Sequence, residues 1–279
     1  DTATTEIYTL SLHDALPICK GTWDTLSPPA RCWIAPNGSH GPLDISGAIE
    51  HSCNYFFYEV GYRLSRNNGV YDSDTGLEKL AYYADQFGLS DKSGVEISES
   101  APKVSDFDAI RSAIGQGTNN YSTVGLARYV TTVANSGSCY NLSLLSKATD
   151  ADGNLIADYT PTLRNTVDLK QSTWDAIHQG MRKVVEDKDY YKDLTIQVAG
   201  KTGTAQENRK RANHALFVCY APYEQPQIAI ATRIAFGYAS DYAAQVTKDI
   251  VKYYFKLEDE SSLITGTAES TNVVQSAGD

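Results

Sequence analysis

The residues best able to do chemistry lie in one short run, Val198-Ala199-Gly200-Lys201-Thr202-Gly203-Thr204-Ala205. That run puts a cation, two hydroxyls and a position without a side chain on adjacent backbone, which suits an anion. Lys201 offers a point charge, Thr202 and Thr204 offer donors, and Gly203 lets a ligand approach closely. A given tripeptide arises by chance in roughly one chain in thirty of this length, so Lys-Thr-Gly alone is a modest signal. Its plain alternative is a surface turn with a solvated lysine. A phosphate loop is excluded, because the first glycine of G-x-x-x-x-G-K-[ST] is missing upstream of Lys201. A second pair is Ser52-Cys53-Asn54, a hydroxyl and an amide inside an apolar helical stretch, where each needs a partner if buried. Ser65-Arg66-Asn67 and Ser270-Thr271-Asn272 repeat the spacing in a polar turn and in the C-terminal tail. For Ser52 the plain alternative is a helix serine bonding its own backbone.

Helices and strands must position these groups, and both are legible. Apolar residues at 45, 48, 49, 53, 56, 57, 60 and 64 predict one helix, or two in tandem, over Ile45–Leu64, followed by the turn Ser65-Arg66-Asn67-Asn68-Gly69. Asp74 or Thr75 can cap a helix through Phe87 with Gly88 behind it, and Ser122 a helix through Ala134 or Asn135 with Gly137 following. Leu169–Val185 and Asp241–Phe255 read as further helices. Leu194–Ala199 alternates as a strand, and Ala215–Tyr220 with Ile228–Ile234 reads as a hairpin. Helices first, then strands and a closing helix, predict an α+β fold with an antiparallel sheet.

Composition narrows the class. The 279 residues carry 34 acidic and 24 basic side chains, a formal net charge of −10, and the longest basic run is Arg209-Lys210-Arg211. Nucleic acid is therefore not an expected partner. Five cysteines, Cys19, Cys32, Cys53, Cys139 and Cys219, show no C-x-x-C pair, and the five histidines show no short ligand spacing. Buried thiols are expected, with no metal and no cofactor. Residues 1–18 are set apart, because Ile7–Ile18 resembles the translated read-through of a sequencing-library adapter; the domain is expected over 19–256, and a disordered tail over 257–279.

Taken together, the motifs resemble a known family. Lys-Thr-Gly and Ser-x-Asn belong with Ser-x-x-Lys in the signature of serine β-lactamases and penicillin-binding proteins. The chain resembles the transpeptidase domain of a class B penicillin-binding protein of the elongation or sporulation type. Further blocks in family order are Arg31-Cys32-Trp33-Ile34, Gly38-Ser39-His40-Gly41, Ala48 through Tyr58, Ala113-Ile114-Gly115-Gln116-Gly117, Ala134-Asn135-Ser136-Gly137 and His214 through Val218. The resemblance spans about Gly21 to Phe255. It implies an antiparallel sheet flanked by helical clusters, and acyl transfer from D-Ala-D-Ala stem peptides in cell-wall cross-linking. β-Lactams are the implied inhibitors, and membrane proteins of cell-wall synthesis the implied partners. The implied location is the extracytoplasmic face of the bacterial membrane. In this reading Ser52 relays a proton, Asn54 holds the substrate amide, Lys201 sets the electrostatics, and Thr202, Gly203 and Thr204 line the terminal-carboxylate site.

One family residue is absent. The nucleophilic serine of Ser-x-x-Lys should lie upstream of Ser52, yet residues 1–51 contain no such motif. The single match, Ser100-Ala101-Pro102-Lys103, falls downstream in an acidic, proline-containing loop and reads as a decoy. The chain as written is therefore expected to be inactive, and Ile45–Phe57 to expose apolar surface where a nucleophile helix would pack. Two alternatives stand beside this reading: a β-lactamase or penicillin sensor of the same fold, and a non-catalytic interaction module.

Overall fold

The computed structural model describes residues 16–35, 37–206 and 210–263. Four two-residue strands open the chain: β1 (Ile18–Cys19), β2 (Thr22–Trp23), β3 (Ala30–Arg31) and β4 (Gly41–Pro42), with β1 paired to β4 and β2 to β3. The adapter-like segment is described only from Leu16, so Ile7–Ala15 lies outside the described residues, and Ile18 is paired with Pro42 in β1.

The apolar run 45–64 forms two helices, α1 (Ile45–Glu50) and α2 (Asn54–Leu64). Asp44 caps the first through Gly47 N–H at 2.7 Å. Behind them, β5 (Arg66–Asn67) and β6 (Val70–Tyr71) form a tight hairpin whose two turn residues, Asn68 and Gly69, both have positive φ, as a type I′ turn requires. The expected caps are close to those observed. α3 (Ser73–Gln86) starts on Asp72 and ends before Gly88, whose φ is +73°. After the short α4 (Ala109–Ser112), α5 (Thr123–Ala134) starts on Ser122, whose hydroxyl accepts from Gly125 N–H at 3.0 Å. Two peripheral ribbons follow, β7 (Ser138–Asn141) with β10 (Thr162–Thr166), and β8 (Lys147–Thr149) with β9 (Leu155–Asp158). α6 spans Gln171–Glu186.

The main sheet is the antiparallel ladder β11 (Ala199–Ala205), β12 (His214–Ala221) and β13 (Ile228–Ile234), closed by α7 (Ser240–Tyr254). This is the expected α+β fold, with one correction: Leu194–Val198 forms no strand, and the ladder starts at Ala199. Pairing decides the boundary, since β12 meets Ala199 through Ala205 residue for residue. Strand alternation then divides β12 between two cores. Ala215, Phe217, Cys219 and Ala221 pack with Ala243, Ala244 and Val251 of α7, while Tyr220 joins the larger core around α1, α2, α3, α5 and α6.

A second correction concerns Ile45–Phe57. This face is buried: Ile49, Phe56 and Phe57 are 0%, 1% and 6% exposed and share a core with Trp174, Ile177 and Met181 of α6. A Cβ on Gly180 would lie 2.8 Å from that of Ile49, so the two helices touch backbone to side chain. The expected tail carries a short helix, α8 (Glu260–Leu263), with Glu258 ion-paired to Lys252 at 2.5 Å; residues 264–279 lie outside the described residues. No helix among the described residues is long and apolar enough to cross a membrane.

Candidate active site

The break between α1 and α2 has a definite backbone form. Ser52 N–H donates to Ile49 C=O at 3.2 Å and Cys53 N–H to Ala48 C=O at 3.0 Å, with Ser52 at φ +47°. These crossed bonds form a Schellman stop with a serine in the left-handed position that glycine normally takes. An L-residue there costs about 1–2 kcal/mol. The strain is spent on aim, for the turn directs the Ser52 hydroxyl at Lys201, whose Nζ donates to it at 2.5 Å across 149 residues of sequence.

Lys201 owes its position to β11. It stands opposite Val218, and its Nζ also donates to Thr202 C=O at 3.0 Å. The side chain is buried, and that burial, with the nearby charge of Lys188, lowers its pKa to about 8. At neutral pH the amine thus lies close to the point of proton exchange with a hydroxyl partner. Gly203 shares Lys201's parity along the strand, while Thr202 and Thr204 take the other. Among the described residues β11 forms the rim of its sheet, paired only to β12. Asn54 opens α2, half-buried and two residues from Ser52. The fold thus joins the two motifs through Ser52 and Lys201, with Asn54 alongside and the threonines along an open edge.

The decoy stays apart. Ser100 and Lys103 are exposed, no helix carries them, and Lys103 pairs with Asp106 at 3.1 Å. One assembly was illegible in the sequence. Cys19, Cys32, His40 and Cys53 come together beneath Ser52 although they are dispersed over 35 residues with no short ligand spacing. A looser group, Glu50, His51 and Asp187, lies at the surface.

The turn gives a direct test. Ser52→Ala should lower the unfolding free energy by about 2 kcal/mol, because a buried ammonium loses a hydrogen-bond partner. Ser52→Gly loses the same hydroxyl but releases the left-handed strain, and should recover about 1 kcal/mol. Urea unfolding of both variants measures the difference; equal stabilities would show that the turn stores no strain.

A family model described as the penicillin binding protein transpeptidase domain matches residues 14–252. The chain belongs to that family. Curated relatives are class B penicillin-binding proteins. The peptidoglycan D,D-transpeptidase MrdA of Haemophilus influenzae is 27% identical over 270 residues, covering 80% of this chain and 39% of its own. Penicillin-binding protein 2B of Streptococcus pneumoniae is 25% identical over 261 residues, covering 82% and 38%. The chain therefore spans about two fifths of these relatives. The fold agrees with solved transpeptidases. Penicillin-binding protein 2B of Streptococcus pneumoniae strain R6 matches at TM-score 0.74 and 24% identity, over 86% of this chain and 44% of that one. Penicillin-binding protein A of M. tuberculosis, solved as an imipenem acyl-enzyme complex, matches at 0.75 and 19%, over 91% and 58%. PBP2 of Helicobacter pylori, solved in complex with MreC, matches at 0.70 and 20%, over 91% and 48%.

Proposed function

We propose that the groove between Ser52 and β11 is the substrate-gripping half of a peptidoglycan D,D-transpeptidase site. The observation that carries this reading is the Lys201–Ser52 hydrogen bond, which brings two family motifs into one hydrogen-bonded unit. In the reaction a serine oxygen attacks the carbonyl between the two D-Ala residues of a stem peptide. The C–N bond breaks, D-Ala leaves with a proton, and an amine of a neighbouring strand displaces the ester. Ser52 relays the proton to the leaving nitrogen, drawing on the Lys201 amine. Asn54 holds the substrate amide. The hydroxyls of Thr202 and Thr204 grip the terminal carboxylate, and the Thr204 N–H supplies half of an oxyanion hole, a contribution of about 3–4 kcal/mol per donor in other enzymes. β-Lactams acylate the same serine. The attacking serine itself is the Ser-x-x-Lys residue missing from positions 1–51, so the chain as written is inert.

The domain is residues 19–256, it works at the extracytoplasmic face of the bacterial membrane, and its partners are membrane proteins of cell-wall synthesis. The MreC complex of the Helicobacter pylori relative supports that last point.

Joined to its natural upstream sequence, the protein should release D-Ala from an N-acylated D-Ala-D-Ala peptide and leave the C-terminal amide of that peptide intact. Equal turnover of acid and amide would remove the carboxylate grip from the threonines. Rapid, repeated hydrolysis of a chromogenic cephalosporin would instead favour the β-lactamase reading.

A further inference from the structure

The last turn of α6, the 3-10 turn Asp189–Tyr191 and the run 194–198 that leads into β11 frame a cavity of about 250 Å³. None of the residues assigned to the Ser52 groove lines it. Its inner surface is apolar: Val185, Tyr191 and Val198 are buried, and Leu194 and Ile196, half-buried, form the sides. Tyr191 adds ring surface and no hydroxyl, because its O–H is committed to Ala244 C=O at 2.8 Å. Glu186, Lys192 and Gln197 stand exposed at the mouth. An apolar cavity of about 150 Å³ in another protein admits benzene, so the space here suits a substituted ring or two fused rings.

The polar groups narrow the occupant further. Arg182, half-buried in the wall, donates through Nη1 to Val198 C=O at 3.0 Å, and its Nε faces the Glu186 carboxylate at 3.3 Å. Among the described residues its Nη2 has no hydrogen-bond partner. The other cation, Lys192, is taken by Asp189 at 2.5 Å. Backbone groups of the framing run are also committed: Leu194 N–H donates to Tyr191 C=O at 3.1 Å, and Gln197 C=O accepts from Tyr223 N–H at 2.9 Å. What the cavity offers is therefore apolar surface beside one guanidinium with an unused N–H edge. That edge matches a carboxylate, which a planar fork of donors holds by two parallel bonds. A cationic ligand would meet Arg182 and Lys192 instead, and a neutral ring would leave the edge without an acceptor.

We propose that this cavity binds a small aryl carboxylate, its ring against Val185, Tyr191 and Val198 and its carboxylate on Arg182 in competition with Glu186. Such a ligand sits at the foot of β11, since Val198 is the residue before that strand and Lys201 stands three positions further on. The site uses no residue of the transpeptidase reading and is tested independently of it.

The test titrates 2-naphthoate into the isotope-labelled 279-residue chain and follows it by NMR. Saturable binding with a dissociation constant of about 1 mM or tighter is expected, with the largest shifts at the amides of Gln197 and Val198 and at the Arg182 side chain. Arg182→Met should weaken binding about ten-fold or more, because a charge-assisted bond is lost. Glu186→Gln should tighten it a few-fold, because a competing carboxylate is removed. Leu194→Trp, at a half-buried wall, should fill the space and abolish binding. If these variants fail to fold, the unaltered chain decides the matter through the ligand: 2-naphthol, which has the same rings and no carboxylate, should bind about ten-fold more weakly than 2-naphthoate, and 2-naphthylmethylamine should not bind. No saturable binding of 2-naphthoate, equal binding of 2-naphthol, affinity unchanged in a folded Arg182→Met variant, or shifts centred away from the run 194–198 would each overturn the proposal.

Discussion

Incubated with a fluorescent penicillin, the 279-residue chain is expected to take up no covalent label, while the same chain joined to its natural upstream sequence is labelled. The reason is chemical. Ser52 is bonded to a lysine, but it lies in a helix-stopping turn and its oxygen accepts the Lys201 proton, a posture for relaying protons and not for attack. Removing the nucleophile of a comparable serine hydrolase costs about a million-fold in turnover. In the extended protein, Lys201→Ala should abolish most labelling, because the Ser52 hydroxyl then loses the group that exchanges its proton. On the proposed reading, a positive charge beside the carboxylate-gripping threonines is lost with it. Lys201→Arg should not restore it, since a guanidinium stays protonated at any usable pH. Strong labelling of the short chain would identify another nucleophile, and Ser100 would then be the first to replace.

Trp174→Ala should cost about 3–5 kcal/mol, a large part of the 5–15 kcal/mol that holds a typical domain together. Trp174 is 3% exposed and lies in the core that α6 builds over α1 and α2. Its ring meets Phe87 at 6.0 Å, and a Cβ on Gly137 would come within 3.0 Å of it, so little can move in to fill the space it leaves. Urea unfolding with an unchanged m-value would report the loss as stability. A cost below about 1 kcal/mol would mean that α6 is not the lid of this core, and that Ile45–Phe57 awaits another helix.

That lid is where the sequence misleads. The family resemblance makes the apolar face of α1 and α2 look like a surface awaiting a nucleophile helix, whereas Gly180 lets α6 approach closely enough to cover Ile49. Long amphipathic elements were legible because their signals are local: the cap at Ser122 and the stop at Gly88 act within a few residues. β11 was displaced because Gly200, Lys201 and Gly203 have little strand preference of their own, and only the pairing with β12 makes them one. Two-residue ladders such as β1 with β4 leave no periodicity to read. At the site, each half of the Ser52–Lys201 unit was visible as a motif, but their meeting depended on the family resemblance. The cluster of Cys19, Cys32, His40 and Cys53 offered nothing of the kind, since four residues on four segments share no repeat.

The bond from Lys201 to Ser52 closes a loop of 149 residues, and Lys201 is held in line only once β12, ending at Ala221, has been made. A chain emerging from the ribosome can therefore complete its helical α1–α2 turn early, with the left-handed serine and no counterpart to hold it there. Contacts so distant in sequence close slowly, on the millisecond-to-second scale typical of non-local folds. Assembly of the groove is accordingly a late event in the life of each molecule, and a translation product stopping short of residue 221 would carry a nearly whole helical half with no complete β11–β12 edge to meet it.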